Sequence, residues 1–415
     1  MSAFRRFRLA VFFLVTVPAS PPAVADTIRL SELQALALKN NPAGLEAEAL
    51  RQLGRAEISV ARTWSDPLVE GLLGRGKPLG SDVSEQESGF QISQELPSPI
   101  SYRHRIQAAE FGSAEREAHA RARRLDLLFQ VEVLYHEHVA AAEGVCLLAD
   151  NAEGAERVLG LVSRRVEVGE ARETERIRAE VESLRQQRAL AAARREAEIT
   201  REALVRIVGP GIPEGATLEA AWPTAGSAGD LELLRARLSS RNPELAAARA
   251  RVSQSAESTS AAAWGAWPDL KASYYDLREI DKKAQGAKLE IAIPLWNANR
   301  AETARRRAEE SIFRAELKQR EIALGNDLDR AYREFQLATE QSAIFAGRLL
   351  PAAREGLRLV ELTYEEGETS FLDLLDAQRT YREAAAESVA LHRDAARALA
   401  TIHRLTGGTD ASDTR

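Results

Sequence analysis

The chain has 415 residues, 45% of them hydrophobic, one cysteine and a formal net charge of −6. Loss of a leader holding Arg5, Arg6 and Arg8 takes the charge from −6 to −9, which argues against nucleic acid as a partner. The single Cys146 excludes an intrachain disulfide, and arginine interleaved with glutamate and alanine is the composition of long paired helices.

Residues 1–25 read as a signal peptide. Three arginines precede the apolar run Leu9–Val17, and Ala23-Val24-Ala25 is a small-residue cleavage site. The run is too short to span a bilayer, and no cysteine lies near the cleavage site to carry a lipid anchor. Residues 26–208 form a first unit. Leu30 to about Trp64 is expected to be helical, opened by Ser31 and interrupted at Pro42. Leu68–Gly74 and Gly89–Leu96 are predicted strands around a polar loop. In the second strand Phe90, Ile92 and Leu96 alternate with Gln91, Ser93 and Glu95. Tyr102 to Val168 is one helical run about 100 Å long. Its expected apolar seam is Leu128, Glu132, Tyr135, Val139, Ala142, Cys146 and Ala149. After Gly169 a second run, Ala171–Val208, completes the unit.

A Gly-, Pro- and Ala-rich linker, 209–229, leads to a second unit at 230–406. Leu231–Trp264 is predicted helix, and Leu270–Leu277 and Ala287–Trp296 are predicted strands. Arg300–Glu366 is a second helix of nearly 100 Å. Its seam (Leu328, Ala331, Phe335, Ala338, Ser342, Phe345, Leu349) steps by three and four, a heptad that implies left-handed supercoiling. Thr369–Leu405 is the last helix and 407–415 a polar tail. The units repeat landmarks in step: Asn41-Pro42 and Asn242-Pro243, Pro67 and Pro268, Gly169 and Gly367, Gly209 and Gly407.

No long apolar stretch remains after the leader, so entry into a membrane would have to be as β-strands. Four strands per chain cannot close a barrel, so the strands imply an oligomer sharing one. Leu289, Ile291, Ile293 and Leu295 alternate onto one face and are expected to meet lipid. Trp64, Trp264, Trp267, Tyr274 and Trp296 fall at the strand ends, as a barrel–helix junction or an interfacial aromatic girdle.

Catalytic and metal-binding patterns are not found. His136-Glu137-His138 has the wrong spacing for a zinc-protease motif and reads as a solvated pair. His104, His119, His392 and His403 lack ligand spacing. Gly71 to Gly76 is not a phosphate-binding glycine pattern, and Cys146, placed in a seam, has no case as a nucleophile. Neither an enzyme nor a cofactor is expected.

The remaining signal is Gly367 followed by Thr369 or Ser370 as a helix cap, then Asp373 and Asp376 three residues apart on one face. Phe371, Leu374, Leu375 and Tyr381 take another face. Alone, this reads as a solvated acidic face. The duplicated Asn-Pro helix starts, the strand pairs, Gly169 and the stretch Tyr364 to Gln378 together resemble the TolC-like outer membrane factors, over essentially the whole mature chain. The resemblance implies a mainly helical homotrimer with a twelve-stranded outer-membrane β-barrel and a long α-helical periplasmic tunnel. It implies a periplasmic adaptor and an inner-membrane resistance-nodulation-division transporter as partners, with outer-membrane lipid around the barrel. Asp373 and Asp376 would ring the periplasmic mouth, Tyr364 would bond Glu175 to help close it, and Gly169 and Gly367 would mark the tips where the adaptor docks. Thr369 stands where well-known drug-efflux members have arginine, so the closed-state network must differ. The Gly169–Glu182 stretch is more similar to the cobalt–zinc–cadmium branch, which implies divalent cations as substrate. The alternatives are a type I secretion or drug-efflux exit duct and, in another class, a soluble periplasmic coiled-coil scaffold.

Overall fold

The computed structural model describes residues 27–77, 80, 84–213, 216–265, 270–279, 282–291 and 299–408. The signal-peptide reading of 1–25 and most of the expected polar tail lie outside them. In chain order the first elements are β1 (Thr27–Ile28), α1 (Leu30–Asn40), α2 (Pro42–Arg62), β2 (Leu68–Gly76), β3 (Glu85–Leu96), α3 (Pro99–Glu167), α4 (Glu173–Val208) and β4 (Thr217–Leu218). There follow α5 (Leu231–Arg241), α6 (Pro243–Trp264), β5 (Leu270–Arg278), β6 (Lys283–Ile291), α7 (Arg300–Ile344), a π-helical turn (Phe345–Leu349), α8 (Leu350–Glu365) and α9 (Phe371–Leu405).

Two asparagines do the same work in the two halves. Asn41 accepts from the Ala43 amide at 2.9 Å and so caps α2, with Pro42 in the first helical position, where no N–H is needed. Its Nδ2 donates to the Ile207 carbonyl at 2.8 Å, tying α2 to the end of α4. Asn242 caps α6 through Leu245 N at 3.0 Å and donates to Leu405 O, at the end of α9, at 2.9 Å. The predicted helices Leu30–Trp64 and Leu231–Trp264 are therefore each two helices. Ser31 does not open α1: Glu32 accepts from the Arg29 amide at 3.2 Å, which puts Arg29 in the capping position.

The interior is three separate clusters strung along the bundle. One gathers Leu33, Leu127, Val131, Tyr135, Leu204 and Val208, a second Leu238, Leu245, Leu328, Phe335, Ile402 and Leu405. The third lies at the helix tips and is described below. Because α3 meets different helices along its length, its buried face shifts. Leu127, Val131, Tyr135 and Val139 are buried, Ala142 and Cys146 are exposed, and burial resumes at Ala152, Ala155, Val158 and Val162. The expected seam through Cys146 is corrected accordingly. In α7 the heptad holds from Leu328 to Ala338 and then fails. There the predicted single helix is broken by the π turn, where Leu350 N bonds to Phe345 O, five residues back. Pro351 follows immediately; it lacks an N–H and its ring crowds the carbonyl four residues earlier.

The linker is more than a tether. Thr217–Leu218 pairs in parallel with Thr27–Ile28, and Trp222 lies against two histidines, His136 with ring centroids 5.6 Å apart and His392 at 5.4 Å. The indole Nε1 donates to Glu143 at 2.8 Å. His136 is only 8% exposed, and burial pushes its pKa down. His138 is half-buried and bonds Thr200 at 3.0 Å. The expected solvated pair is thus corrected to one buried and one half-buried histidine, because the linker's Trp222 covers His136 and α4 covers His138.

At the other end the four long strands form one antiparallel sheet in the order β2-β3-β5-β6. Direct pairs share a face, and the registers Val69↔Ile92, Ile92↔Tyr274, Ala272↔Leu289 and Leu270↔Ile291 put these apolar side chains on one side. The other side carries Glu70, Gln91, Ser93, Lys271, Ser273, and Lys288 paired with Glu290. Leu289 and Ile291 are exposed on the apolar face; Ile293, Leu295, Trp267 and Trp296 lie outside the described residues. Trp64 meets the Tyr102 ring edge-on at 6.5 Å where the sheet joins the helices.

Candidate functional site: the paired helix tips

Two chain reversals build the site. Gly169 ends α3 with φ 82° and Gly367 ends α8 with φ 80°, a region that glycine enters without penalty. Each is the pivot of a Schellman turn. At the first, Gly169 N bonds Val166 O at 3.0 Å and Glu170 N bonds Arg165 O at 2.8 Å. At the second, Gly367 N bonds Tyr364 O at 3.1 Å and Glu368 N bonds Thr363 O at 2.8 Å.

The restart of the next helix differs. Before α4 stands Arg172, whose side chain makes no capping bond. Before α9, Ser370 and Asp373 form a reciprocal capping box. The Asp373 amide donates to Ser370 Oγ at 3.3 Å, and Asp373 Oδ2 accepts from the Ser370 amide at 3.2 Å. The capping residue is Ser370 rather than Thr369, whose hydroxyl lies 3.0 Å from that of Thr363. Asp373 is therefore fixed by its own helix start. Asp376 pairs with Arg379 at 2.8 Å. Both aspartates are exposed, on the side away from buried Phe371 and Leu374.

Beneath the turns Val158, Val162, Ala179, Tyr364, Phe371 and Leu374 close a core that joins α3, α4, α8 and α9. Tyr364 is 2% exposed, yet its hydroxyl has no hydrogen-bond partner among the described residues. The expected bond to Glu175 is not made, because the ring lies inward against Phe371 and leaves its hydroxyl in the core. Burial pushes the phenol pKa up, the nearby Glu175 carboxylate pushes the same way, and the Arg165 guanidinium opposes both. The sequence reading missed Arg165, whose Nη1 donates to Tyr364 O at 2.7 Å. The available signal was its place four residues before Gly169, facing a second tip that has no base of its own. Among the described residues no three His, Cys, Asp or Glu side chains are grouped to hold a metal ion, and no helix is long and apolar enough to cross a membrane.

The family described as outer membrane efflux protein matches residues 33–210 and 234–408, most of the chain and once in each half. The chain belongs to the outer membrane efflux protein family. A relative in that family's company is the cobalt-zinc-cadmium resistance protein CzcC of Cupriavidus metallidurans, 26% identical over 399 residues, with 94% of this chain and 93% of the relative covered. Among solved structures the fold is similar to CusC (TM-score 0.79, 16% identity, 92% of each chain) and to the outer-membrane channel OprN (0.78, 20%, 92% of this chain and 90% of that one). It is also similar to the outer membrane protein VceC of Vibrio cholerae, with TM-score 0.76, 17% identity and coverage of 92% and 97%. In this efflux protein the four-stranded sheet and the two glycine turns lie at opposite ends of the same helices.

Proposed function

We propose that three copies of this chain form a passive exit duct in the outer membrane, fed by an inner-membrane RND pump through a periplasmic adaptor. The observation that carries the reading is the sheet. One face gathers Val69, Ile92, Leu270, Leu289 and Ile291, the other mixes Leu68, Leu72 and Leu277 with Glu70, Lys271, Lys288 and Glu290, and the outer strands β2 and β6 pair on one side only among the described residues. In lipid each unpaired backbone group costs several kcal/mol. Joining β6 of one copy to β2 of the next closes twelve strands from three copies and removes the cost. Leu289 and Ile291 then face lipid.

Threefold symmetry gathers Asp373 and Asp376 into a ring of carboxylates at the far end. Such a ring attracts cations and disfavours anions. That charge, and a relative named for cobalt, zinc and cadmium resistance, support divalent metal ions as the cargo. The glycine turns at 169 and 367 are the surface offered to the adaptor. A soluble scaffold would have no use for the apolar sheet face.

The ring is tested by conductance in planar bilayers. Asp373→Asn with Asp376→Asn is expected to lower cation-over-anion selectivity severalfold, and unchanged selectivity would reduce the two aspartates to a solvated helix face. The barrel is tested by Ile291→Arg, which at mid-bilayer depth costs about 2–4 kcal/mol and is expected to reduce trimer recovered from outer-membrane fractions.

A further inference from the structure

One cation at the tips belongs to neither the ring nor the barrel. Arg165 sits in the last turn of α3 and reaches across to the other half of the chain. Its Nη1 donates to the Tyr364 carbonyl at 2.7 Å, and its guanidinium carbon lies 5.0 Å from the centre of the Tyr364 ring. Its Nε faces Glu170 at 3.6 Å. Meanwhile the Arg165 carbonyl accepts from the amides of Glu170 and Ala171, at 2.8 and 3.2 Å.

One residue therefore serves both reversals, its backbone inside the first turn and its side chain on the second. The Tyr364 carbonyl it grips also takes the Gly367 amide, so the positive charge lies at the C-terminal end of α8, where it is favoured. Residues 362–378 hold five carboxylates and no basic residue, so the second tip has no cation of its own for this place. The chemistry also requires arginine. A planar guanidinium donates along its edge to the carbonyl while presenting its face to the ring; an ammonium makes one contact or the other.

We propose that Arg165 is the clasp that holds the second tip against the first, and hence the positioning residue for closure of the mouth. The proposal rests on the duct reading above. Closure then acts through the carbonyl and ring face of Tyr364, and its unbonded hydroxyl contributes less. A charge-assisted hydrogen bond is worth about tenfold or more in a two-state equilibrium, and that is the size of effect expected.

The test uses the full-length protein in two measurements. In planar bilayers Arg165→Ala is expected to raise open probability about tenfold or more, Arg165→Lys to fall between it and the natural chain, and Tyr364→Phe to have a smaller effect than Arg165→Ala. By hydrogen exchange with mass spectrometry, Arg165→Ala is expected to speed exchange across residues 363–371 by a similar factor, with residues 324–338 unchanged. If Arg165→Ala fails to assemble, Arg165→Lys carries the test alone, and intermediate exchange supports the clasp. Exchange at the tips that matches the natural chain in Arg165→Ala, or full restoration by Arg165→Lys, overturns it. Faster tip exchange with no current from any form would keep the clasp and remove the duct.

Discussion

The two tips are copies of one turn with opposite electrostatics. Residues 164–180 hold five arginines and five glutamates, whereas the matching 362–378 hold five carboxylates and no base. In the first tip the charges pair locally: Arg176 with Glu173 and Glu180, Arg165 with Glu170. In the second, Glu365, Glu366 and Glu368 have no ion-pair partner among the described residues, and all five carboxylates are exposed. The backbone solution is shared, down to the φ of its glycines and the two bonds of each Schellman turn. Duplication has thus kept the geometry and divided the labour: a neutral tip that supplies a cation, and an acidic tip free to display charge.

Matched substitutions sharpen that contrast. The largest difference is expected at Phe371, buried against Tyr364, whose counterpart Glu173 is exposed. Phe371→Ala should cost about 3–5 kcal/mol and Glu173→Ala far less, read from denaturant titrations of the detergent-solubilised protein. The glycines come next. A side chain at Gly169 would meet nothing within 4 Å, whereas at Gly367 it would come within 3.4 Å of Arg165 Nη2. Valine is expected to cost about 1–2 kcal/mol at Gly169 and about 2 kcal/mol or more at Gly367; equal costs would break the asymmetry. The smallest difference is at the caps. Ser370→Ala should lose about 1 kcal/mol, with faster hydrogen exchange in the first turn of α9. Arg172→Ala, which removes no capping bond, should leave the first turn of α4 unchanged.

Much of this was legible in the chain because it is local. Asn41-Pro42 and Asn242-Pro243 announce helix starts, Gly169 and Gly367 announce reversals, and the alternation through Leu289 and Ile291 fixes which side of the strand is apolar. What failed depended on partners distant in sequence. Spacing alone carries Cys146 into an apolar seam, but α3 changes neighbours before that point and leaves it exposed. No local signal near His136 says that Trp222, 86 positions later, covers it. The Arg165 clasp joins residues separated by 199 positions, and the local signal, a base before Gly169 and none at residues 362–378, does not say which atom it grips. Tyr364 was legible as a special residue, but the atom through which it is held was not.

The π turn before Pro351 has a consequence for how the acidic tip is aimed. Each residue of an α-helix advances the helix by about 100°. Phe345–Leu349 carries one residue more than an α turn would hold, so everything after it is swung round relative to α7. Tyr364 points inward, and Glu365 and Glu366 outward, with that extra residue counted in. Straightening the turn with every residue kept would rotate α8 by about 100° and bring a different face to the core; deleting one residue of the turn removes the surplus and is expected to leave Tyr364 on its seat. The bearing of the acidic tip is set like a compass correction, one residue deep and about four helical turns away from the place where it is read.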